Sequence, residues 1–359
     1  QAGNPGAAES AFRRALAIRR ARLGESSPAT ATGHHNLAAA LELAGRPEAA
    51  EAPARAALGL RRAILPDGHP DIAASEALLA RILAPRANAA ALEHARAAMT
   101  LVRTRRLQAG AAGDAAARAE LRARSAQSTR DPADRAFAAF LAAAAQSPDP
   151  DTLGAEAFLA AQDLEVSAAG LAMAQTAART AAGAGDLARL GLSDKASALR
   201  VAIETAARDL AAVEADLREH YPGYATLVSP QPLSLEEVQA RLAPGEGLLL
   251  ITPADGDIYV FAVGRRGLSW RRLPGGVDSL AEQVAVLRCG LDPLTCGSAR
   301  AAAAFDPRLA HALYVAVVRP VEPALVGVRR LFVTAGGPLA SLPVDALAVG
   351  VPRSGDLRR

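Results

Sequence analysis

The chain has 359 residues, of which 51% are hydrophobic and 21% charged, and this composition predicts a soluble protein with a folded core. Aromatic residues make up only 3% and alanine is abundant, so the core must consist largely of Ala, Leu and Val, which favours closely packed helices. The net charge is +3, with arginine interspersed among acidic residues, and no apolar run approaches the ~20 residues of a membrane span. These features argue against binding to nucleic acid and against a membrane protein.

The N-terminal region contains an internal repeat. Shifted by 42 positions, the sequence aligns with itself at Pro28 and Pro70, at Leu23 and Leu65, and over 19–21 and 61–63. Similarity at a fixed period predicts a solenoid of helix pairs. Between the aligned blocks, Gly45 is expected to end one helix and Pro47 lies near the start of the next.

The details of this repeat resemble the long tetratricopeptide repeat of kinesin light chains. The similarity rests on the segments 36–38, 45–46, 48–49, 15–18 and 23–24, ahead of Pro28, and a fainter third unit covers 92–99. The resemblance implies that the concave side of the solenoid binds a protein or an extended peptide. It also implies that Asn36 contacts the peptide backbone; the alternative is that Asn36 is a solvated helix residue.

The middle of the chain, residues 105–228, is predicted to be a helical linker. Helix stop signals occur at 110–113, at 131–132 and at 147–150. The apolar residues between Leu199 and Leu217 follow spacings of four and three, which predicts a coiled helical hairpin. Its other helix is expected within 155–182.

After Pro230 the pattern changes from helical to mixed. Ser234 and Glu237 form a capping-box signal. Three segments then read as the strands of a β-meander: 247–252, 258–263 and 268–273. Trp270 is expected to anchor the packing of this sheet. Helices starting near Asp278 and Asp306 then lead to a buried apolar strand at 330–334, which predicts an α/β unit.

The segment after this strand resembles the entry of CHAT domains, which are caspase-like domains associated with tetratricopeptide repeats. The matching residues are Gly337, Leu339, Leu342, Pro343, Ala346 and Leu347. The order of the elements agrees with this family over nearly the whole chain. The predicted fold is therefore mostly α: an α-solenoid of tetratricopeptide type (1–104), the helical coil (105–228), and an incomplete α/β caspase-like domain that begins with a β-meander (229–359).

The CHAT resemblance implies a bacterial parent protein that is a caspase-like cysteine peptidase. Such a peptidase is expected to use a His within a His-Gly pattern and a Cys within a Ser-Ala-Cys pattern, and neither pattern occurs up to Arg359. We therefore expect the catalytic pair beyond this point and predict that this chain is inactive. A sheet that ends at its first parallel strand is also expected to leave an unpaired apolar edge at 331–333.

Within the chain, Cys289 or Cys296 with His311 is the only local candidate for a thiol–imidazole pair, but no pattern orients these residues for catalysis. The two cysteines are interpreted as free or loop-closing thiols. The adjacent His34 and His35 point about 100° apart on a helix and cannot share a metal. We predict no catalytic residue, no metal site and no cofactor.

The competing hypothesis is a non-enzymatic scaffold that binds a protein partner through the tetratricopeptide groove. Under both hypotheses the partner is a protein or peptide on the concave face, with no role for nucleic acid or membrane. The location is expected to be cytoplasmic, and the alternative is secretion by a signal peptide ahead of Gln1, because the sequence does not begin with Met.

Overall fold

A computed structural model describes residues 5–86, 88–111, 134–165, 232–292 and 305–350. These residues are mostly helical. The chain divides into two compact units, the first formed by Gln1–Gln146 with Val166–Pro232 and the second by Ser147–Glu165 with Leu233–Arg359. The predicted hairpin helix at 199–217, and the part of its partner beyond residue 165, lie outside the described residues.

The described part of the first unit is a row of helices. They are α1 (Pro5–Leu23), α2 (Pro28–Leu43), α3 (Pro47–Ile64), α4 (Pro70–Leu83), α5 (Asn88–Ala111) and α6 (Asp134–Ala145). Each helix from α1 to α5 packs against the next along the chain, and α6 packs against both α4 and α5. This arrangement confirms the predicted helical repeat.

The helix ends follow from the local sequence. Gly45 adopts a φ of 71°, a left-handed conformation that ends α2 as predicted, and its N–H donates to the Glu42 carbonyl over 2.9 Å. The Ser27 hydroxyl caps the start of α2 by accepting a 3.1 Å hydrogen bond from the Thr30 N–H. Proline opens each of the helices α1 to α4, where its fixed φ suits the first turn and its missing N–H removes no hydrogen bond.

Small side chains set the helix packing in this unit. Alanines at Ala31, Ala38, Ala50, Ala54 and Ala57 are at most 1% exposed. Because an alanine places only a methyl group between two backbones, the helices can approach one another closely. The abundant alanines therefore form much of the core between these helices, as the sequence predicted.

The second unit contains a four-stranded sheet. Its strands are β1 (Glu246–Ala254), β2 (Asp257–Gly264), β3 (Gly267–Leu273) and β4 (Arg330–Ala335), in the spatial order β3-β2-β1-β4. The pairs β1–β2 and β2–β3 are antiparallel, which confirms the meander, whereas β1 and β4 are parallel. Asp255 and Gly256 both have positive φ, as the tight hairpin turn between β1 and β2 requires.

One face of the sheet is covered by helices. These are α8 (Gly276–Leu291), α9 (Pro307–Val317) and the 3-10 helix Arg319–Leu325, whose apolar residues share a core with alternate residues of β1 and β2. The short helix α7 (Leu235–Arg241) precedes the sheet and carries the predicted capping box between Ser234 and Glu237. Helix α8 begins two residues before the predicted start at Asp278.

The other face of the sheet is covered by residues 147–165, of which 154–165 are helical. Phe158 contacts Phe261 at a ring-centroid distance of 5.9 Å, and Phe261 stacks on Trp270 at 5.5 Å. The Trp270 indole N–H donates to the Pro150 carbonyl over 3.0 Å. Trp270 therefore anchors the sheet, as predicted, and residues 147–165, which were predicted to belong to the helical linker, pack with the second unit instead.

Candidate peptide-binding surface

Helix α2 has one packed face and one open face. The packed face carries Ala31, Leu37, Ala38 and Leu41, which are buried against the neighbouring helices. The open face carries Thr32, Asn36, Ala39 and Leu43, and the Leu43 side chain is 83% exposed. The open face of α2, defined by these four residues, includes Asn36, for which the sequence analysis predicted contact with a bound peptide.

Asn36 lies in the middle of this open face and is half-buried. Its side-chain amide makes no hydrogen bond to any other residue that the structure describes. An amide can donate from its nitrogen and accept at its oxygen, so it can satisfy one N–H and one C=O of an extended backbone. The geometry therefore leaves the donor and acceptor groups of Asn36 available to a ligand, and its role in binding stays a prediction.

Beneath this surface, the Arg61 guanidinium joins three helices. Arg61 is only 4% exposed, and its Nη1 donates to the Asp71 carbonyl over 2.8 Å and to the Ser75 hydroxyl over 2.7 Å. The same nitrogen lies 3.2 Å from His35 Nδ1 on α2. A guanidinium is always a donor, so His35 Nδ1 accepts and the imidazole carries its proton on the other nitrogen. Arg61 therefore fixes α2 and α4 on α3.

His35 is held neutral by this environment. Burial lowers the pKa of His35 to about 4, and the positive charges of Arg61, Arg135 and Arg81 add to the effect. In the unfolded chain the pKa returns to ~6.5. Between these two values the unfolded state binds a proton that the folded state does not, so stability present above pH ~6.5 is lost as the pH falls towards 4.

This linkage gives a pH prediction for the first unit. The contribution of His35 amounts to about 3 kcal/mol when it is lost completely. We expect His35→Gln to flatten the fall in the urea midpoint between pH 7 and pH 5, measured by far-ultraviolet circular dichroism. His69→Asn, which keeps a capping acceptor at the start of α4, is the matched control and should retain the wild-type slope. Equal slopes in both variants would contradict the assignment.

Ion pairs add further links between the helices. Glu76 of α4 is 1% exposed and pairs with Arg62 of α3 and, over 2.7 Å, with His94 of α5. Glu42, which precedes Leu43 on α2, accepts from Arg81 of α4 at 2.7 Å. Buried and half-buried pairs of this kind hold the helices in register.

His34 differs from His35 because its Nδ1 is buried and has no hydrogen-bond partner among the residues that the structure describes. Burial and the charge of Arg20 lower the pKa of His34. The two imidazoles thus have separate surroundings. The described residues contain no group of His, Cys, Asp and Glu side chains that could hold a metal ion.

In the second unit, the residues of the CHAT-like motif pack beside the sheet. Leu339, Leu342 and Leu347 are buried in the core that α8 and α9 share with the sheet, and Ala346 packs against its edge. Gly337 has a φ of 60° at the start of a 3-10 helix, Gly337–Ser341, and Pro343 precedes a second one, Val344–Ala346. Their role in this structure is to support the core.

The candidate thiol–imidazole pair is not assembled at Cys289. The sulfur of Cys289 is disulfide-bonded, and the residue is 3% exposed on α8. His311 Nδ1 lies 2.9 Å from the Ala348 carbonyl, and its ring stacks near Tyr314. A sulfur in a disulfide cannot act as a thiolate nucleophile. Cys296 lies outside the described residues.

The open edge predicted at 331–333 is visible in the sheet. In the described part of the chain, β4 has β1 on one side and no strand on the other. Phe332 is 48% exposed and Val333 39%.

As for membranes, none of the described helices is both long enough and apolar enough to cross a bilayer.

Comparison with known proteins supports the repeat at the N-terminus. The family model described as tetratricopeptide repeat matches residues 1–63. These residues include α1, α2 and most of α3, and therefore the open face of α2. No curated protein matches the chain at a significant level.

Proposed function

We propose that the N-terminal unit binds an extended segment of a protein partner on the open face of α2. The observation that carries this proposal is the match of a tetratricopeptide repeat model to the same helices that form this face. Such repeats generally mediate binding to protein partners. The buried network around Arg61 supports the proposal because it fixes the surface before a ligand arrives, which lowers the entropy lost on binding.

In this proposal Asn36 pairs with the backbone of the bound segment, while Thr32, Ala39 and Leu43 leave room for its side chains. The small residues on either side of Asn36 allow a backbone to approach the helix. Backbone recognition gives affinity with little dependence on the partner's sequence. The exposed Leu43 adds an apolar contact at one end.

The test selects peptide ligands without assuming their composition. A displayed library of random peptides of about 12 residues is panned on the full chain, and the enriched peptides are measured by fluorescence anisotropy. Asn36→Ala should weaken binding roughly tenfold, because two hydrogen bonds to a partly desolvated backbone are lost. Arg55→Ala, on an exposed part of α3, is the matched control. No enrichment, or equal losses in both variants, would refute the proposal.

We further propose that residues 229–359 are the N-terminal part of a CHAT-type, caspase-like domain whose parent is a cysteine peptidase. The meander, the helices that follow it, the parallel strand β4 and the buried motif leucines support this proposal. We expect the full-length reading frame to contain the His-Gly and Ser-Ala-Cys patterns. A full-length frame that lacks both patterns would favour the non-enzymatic scaffold. The chain of 359 residues is expected to cleave no peptide substrate.

A further inference from the structure

One end of the sheet in the second unit carries a concentration of arginines. Arg265 and Arg266 form the tip of the β2–β3 turn, and Arg329 and Arg330 stand where β4 begins; all four residues are exposed. The end of β2 pairs with the start of β1, which pairs in turn with the start of β4. The two arginine pairs therefore lie beyond the same end of the sheet, about 10 Å apart across two strand spacings. We call these four arginines the basic edge.

The backbone that carries the basic edge is firmly held. The Gln239 side-chain amide donates to the carbonyls at both ends of the β2–β3 turn, over 3.0 and 3.4 Å. The N–H groups of Arg329 and Arg330 both donate to the Gly245 carbonyl, over 2.7 and 2.9 Å. The guanidinium groups thus project from a fixed frame. Only their side chains have to be ordered when a ligand binds, which limits the entropy lost.

The basic edge carries more positive charge than its surroundings neutralise. Glu246 pairs with Arg330 over 3.1 Å, and its second oxygen accepts from a backbone N–H over 3.0 Å. Arg265, Arg266 and Arg329 make no side-chain hydrogen bond or ion pair to any residue in the described part of the chain. Three guanidinium groups are therefore available to an anionic ligand.

An apolar side chain protrudes beside these arginines. Val326 is 86% exposed on the loop that leads to β4. This loop lies directly on the strand ends, because a Cβ on Gly264 would be 2.2 Å from the Ala324 carbonyl oxygen and a Cβ on Gly247 3.0 Å from Val328. The loop and the β2–β3 turn consequently form one continuous surface, with charge at its two sides and Val326 on the loop between them.

The chemistry of this surface favours carboxylates on an extended chain. Compact phosphate sites use backbone N–H donors, and those of Arg329 and Arg330 are already bonded to Gly245. Single-stranded nucleic acid stacks its bases on aromatic side chains, and residues 264–267 and 324–330 include none. An extended acidic segment presents carboxylates about 7 Å apart on one face, so two or three of them reach both arginine pairs.

We propose that the basic edge and Val326 form a docking surface for an acidic, extended segment of a partner protein. Carboxylates of the segment pair with Arg265, Arg266 and Arg329, and an aliphatic residue next to them contacts Val326. Exposed arginines are stably solvated, so the fold needs no further segment of its own chain to cover this surface. The surface belongs to the second unit and is independent of the function proposed for the open face of α2.

The probe is a synthetic peptide of six consecutive glutamates followed by a leucine, passed over the full chain immobilised at low density for surface plasmon resonance. Combining Arg265→Gln with Arg266→Gln should weaken binding roughly tenfold, since each exposed charge pair contributes about threefold. Arg308→Gln, at an exposed position in the first turn of α9, is the matched control and should change binding by less than about twofold. Raising the salt concentration from about 0.05 to about 0.3 M should weaken binding at least fivefold or so.

A second pair of variants tests the apolar contact. Val326→Asp should weaken binding roughly tenfold because it adds a like charge, whereas Val349→Asp, at a residue 72% exposed, should change it by less than about twofold. An unchanged Trp270 emission spectrum checks that each variant is folded. The proposal is overturned if the peptide shows no saturable binding, if the double arginine variant behaves like its control, or if a peptide of six glutamines binds equally well. It is also overturned if a single-stranded oligonucleotide binds more tightly than the peptide and the double variant abolishes that binding, because the ligand is then a nucleic acid.

Discussion

Replacing Arg61 with methionine should lower the free energy of unfolding of the first unit by about 3 kcal/mol. The substitution keeps most of the apolar stem but removes the guanidinium that donates to Asp71 and Ser75 and contacts His35. These acceptors would stay buried without a donor, and each buried unpaired group costs about 1 to 3 kcal/mol. The loss is partly offset because the charge itself is no longer desolvated.

The measurement for Arg61→Met is urea unfolding of the full chain with two probes. Circular dichroism at the helical band reports mainly on the helices, and Trp270, the only tryptophan, reports on the second unit. The midpoint from circular dichroism should fall. Arg55→Met, whose side chain is about half exposed, is the control and should cost less than about 1 kcal/mol. A shift of similar size in both variants would contradict the buried network.

The second large effect is expected from Phe158→Ala, which should destabilise the second unit by about 3 to 4 kcal/mol. Phe158 is fully buried and contacts Phe261, which stacks in turn on Trp270. Truncation leaves a cavity between the segment 147–165 and the sheet, and lost contacts add to the lost transfer free energy. The variant should also expose Trp270 to water.

Measuring the fluorescence of Trp270 tests this prediction directly. Its emission maximum should move to longer wavelength, and its urea midpoint should fall in Phe158→Ala. Phe332→Ala in β4 is the control, because Phe332 belongs to the same sheet and is 48% exposed. Phe332→Ala should lower the free energy of unfolding by less than about 1 kcal/mol. An unchanged midpoint in Phe158→Ala would mean that the segment 147–165 does not support the sheet.

The sequence predicted those parts of the fold that depend on local signals. Pro28, Gly45 and Pro47 set helix ends, and each acts through its own backbone geometry. The meander followed from the short apolar runs at 247–252 and 258–263 and from the Asp255-Gly256 turn between them. The 42-residue period predicted the stacking of α1 to α4 because each repeat leaves an apolar face for the next.

The sequence did not predict contacts between distant segments. Phe158 and Phe261 are about a hundred residues apart, and an apolar helix carries no signal for which surface will cover it. The burial of Arg61 was missed for a similar reason, since arginine is usually exposed. The repeat alignment, which pairs Arg19 with Arg61, was the one signal that could have drawn attention to both.

For the candidate site, the resemblance to a known repeat predicted that Asn36 contacts a peptide backbone. The position of Asn36 on the open face of α2 is compatible with that contact. The depressed pKa of His35 depends on burial between α2, α3 and α4. Such a value cannot be read from a His-His pair in the sequence. The disulfide state of Cys289 was left open between two interpretations, because spacing does not determine oxidation.

The open side of β4 has a consequence for all of these binding experiments. Among the described residues no strand pairs with this outer edge, and after Arg330 the strand has no charged side chain to oppose pairing with the same strand of another molecule. Self-association would raise anisotropy and scattering signals as the concentration increases. Titrations should therefore hold the concentration of this protein low and vary the ligand, so that a genuine complex is distinguished from a growing assembly.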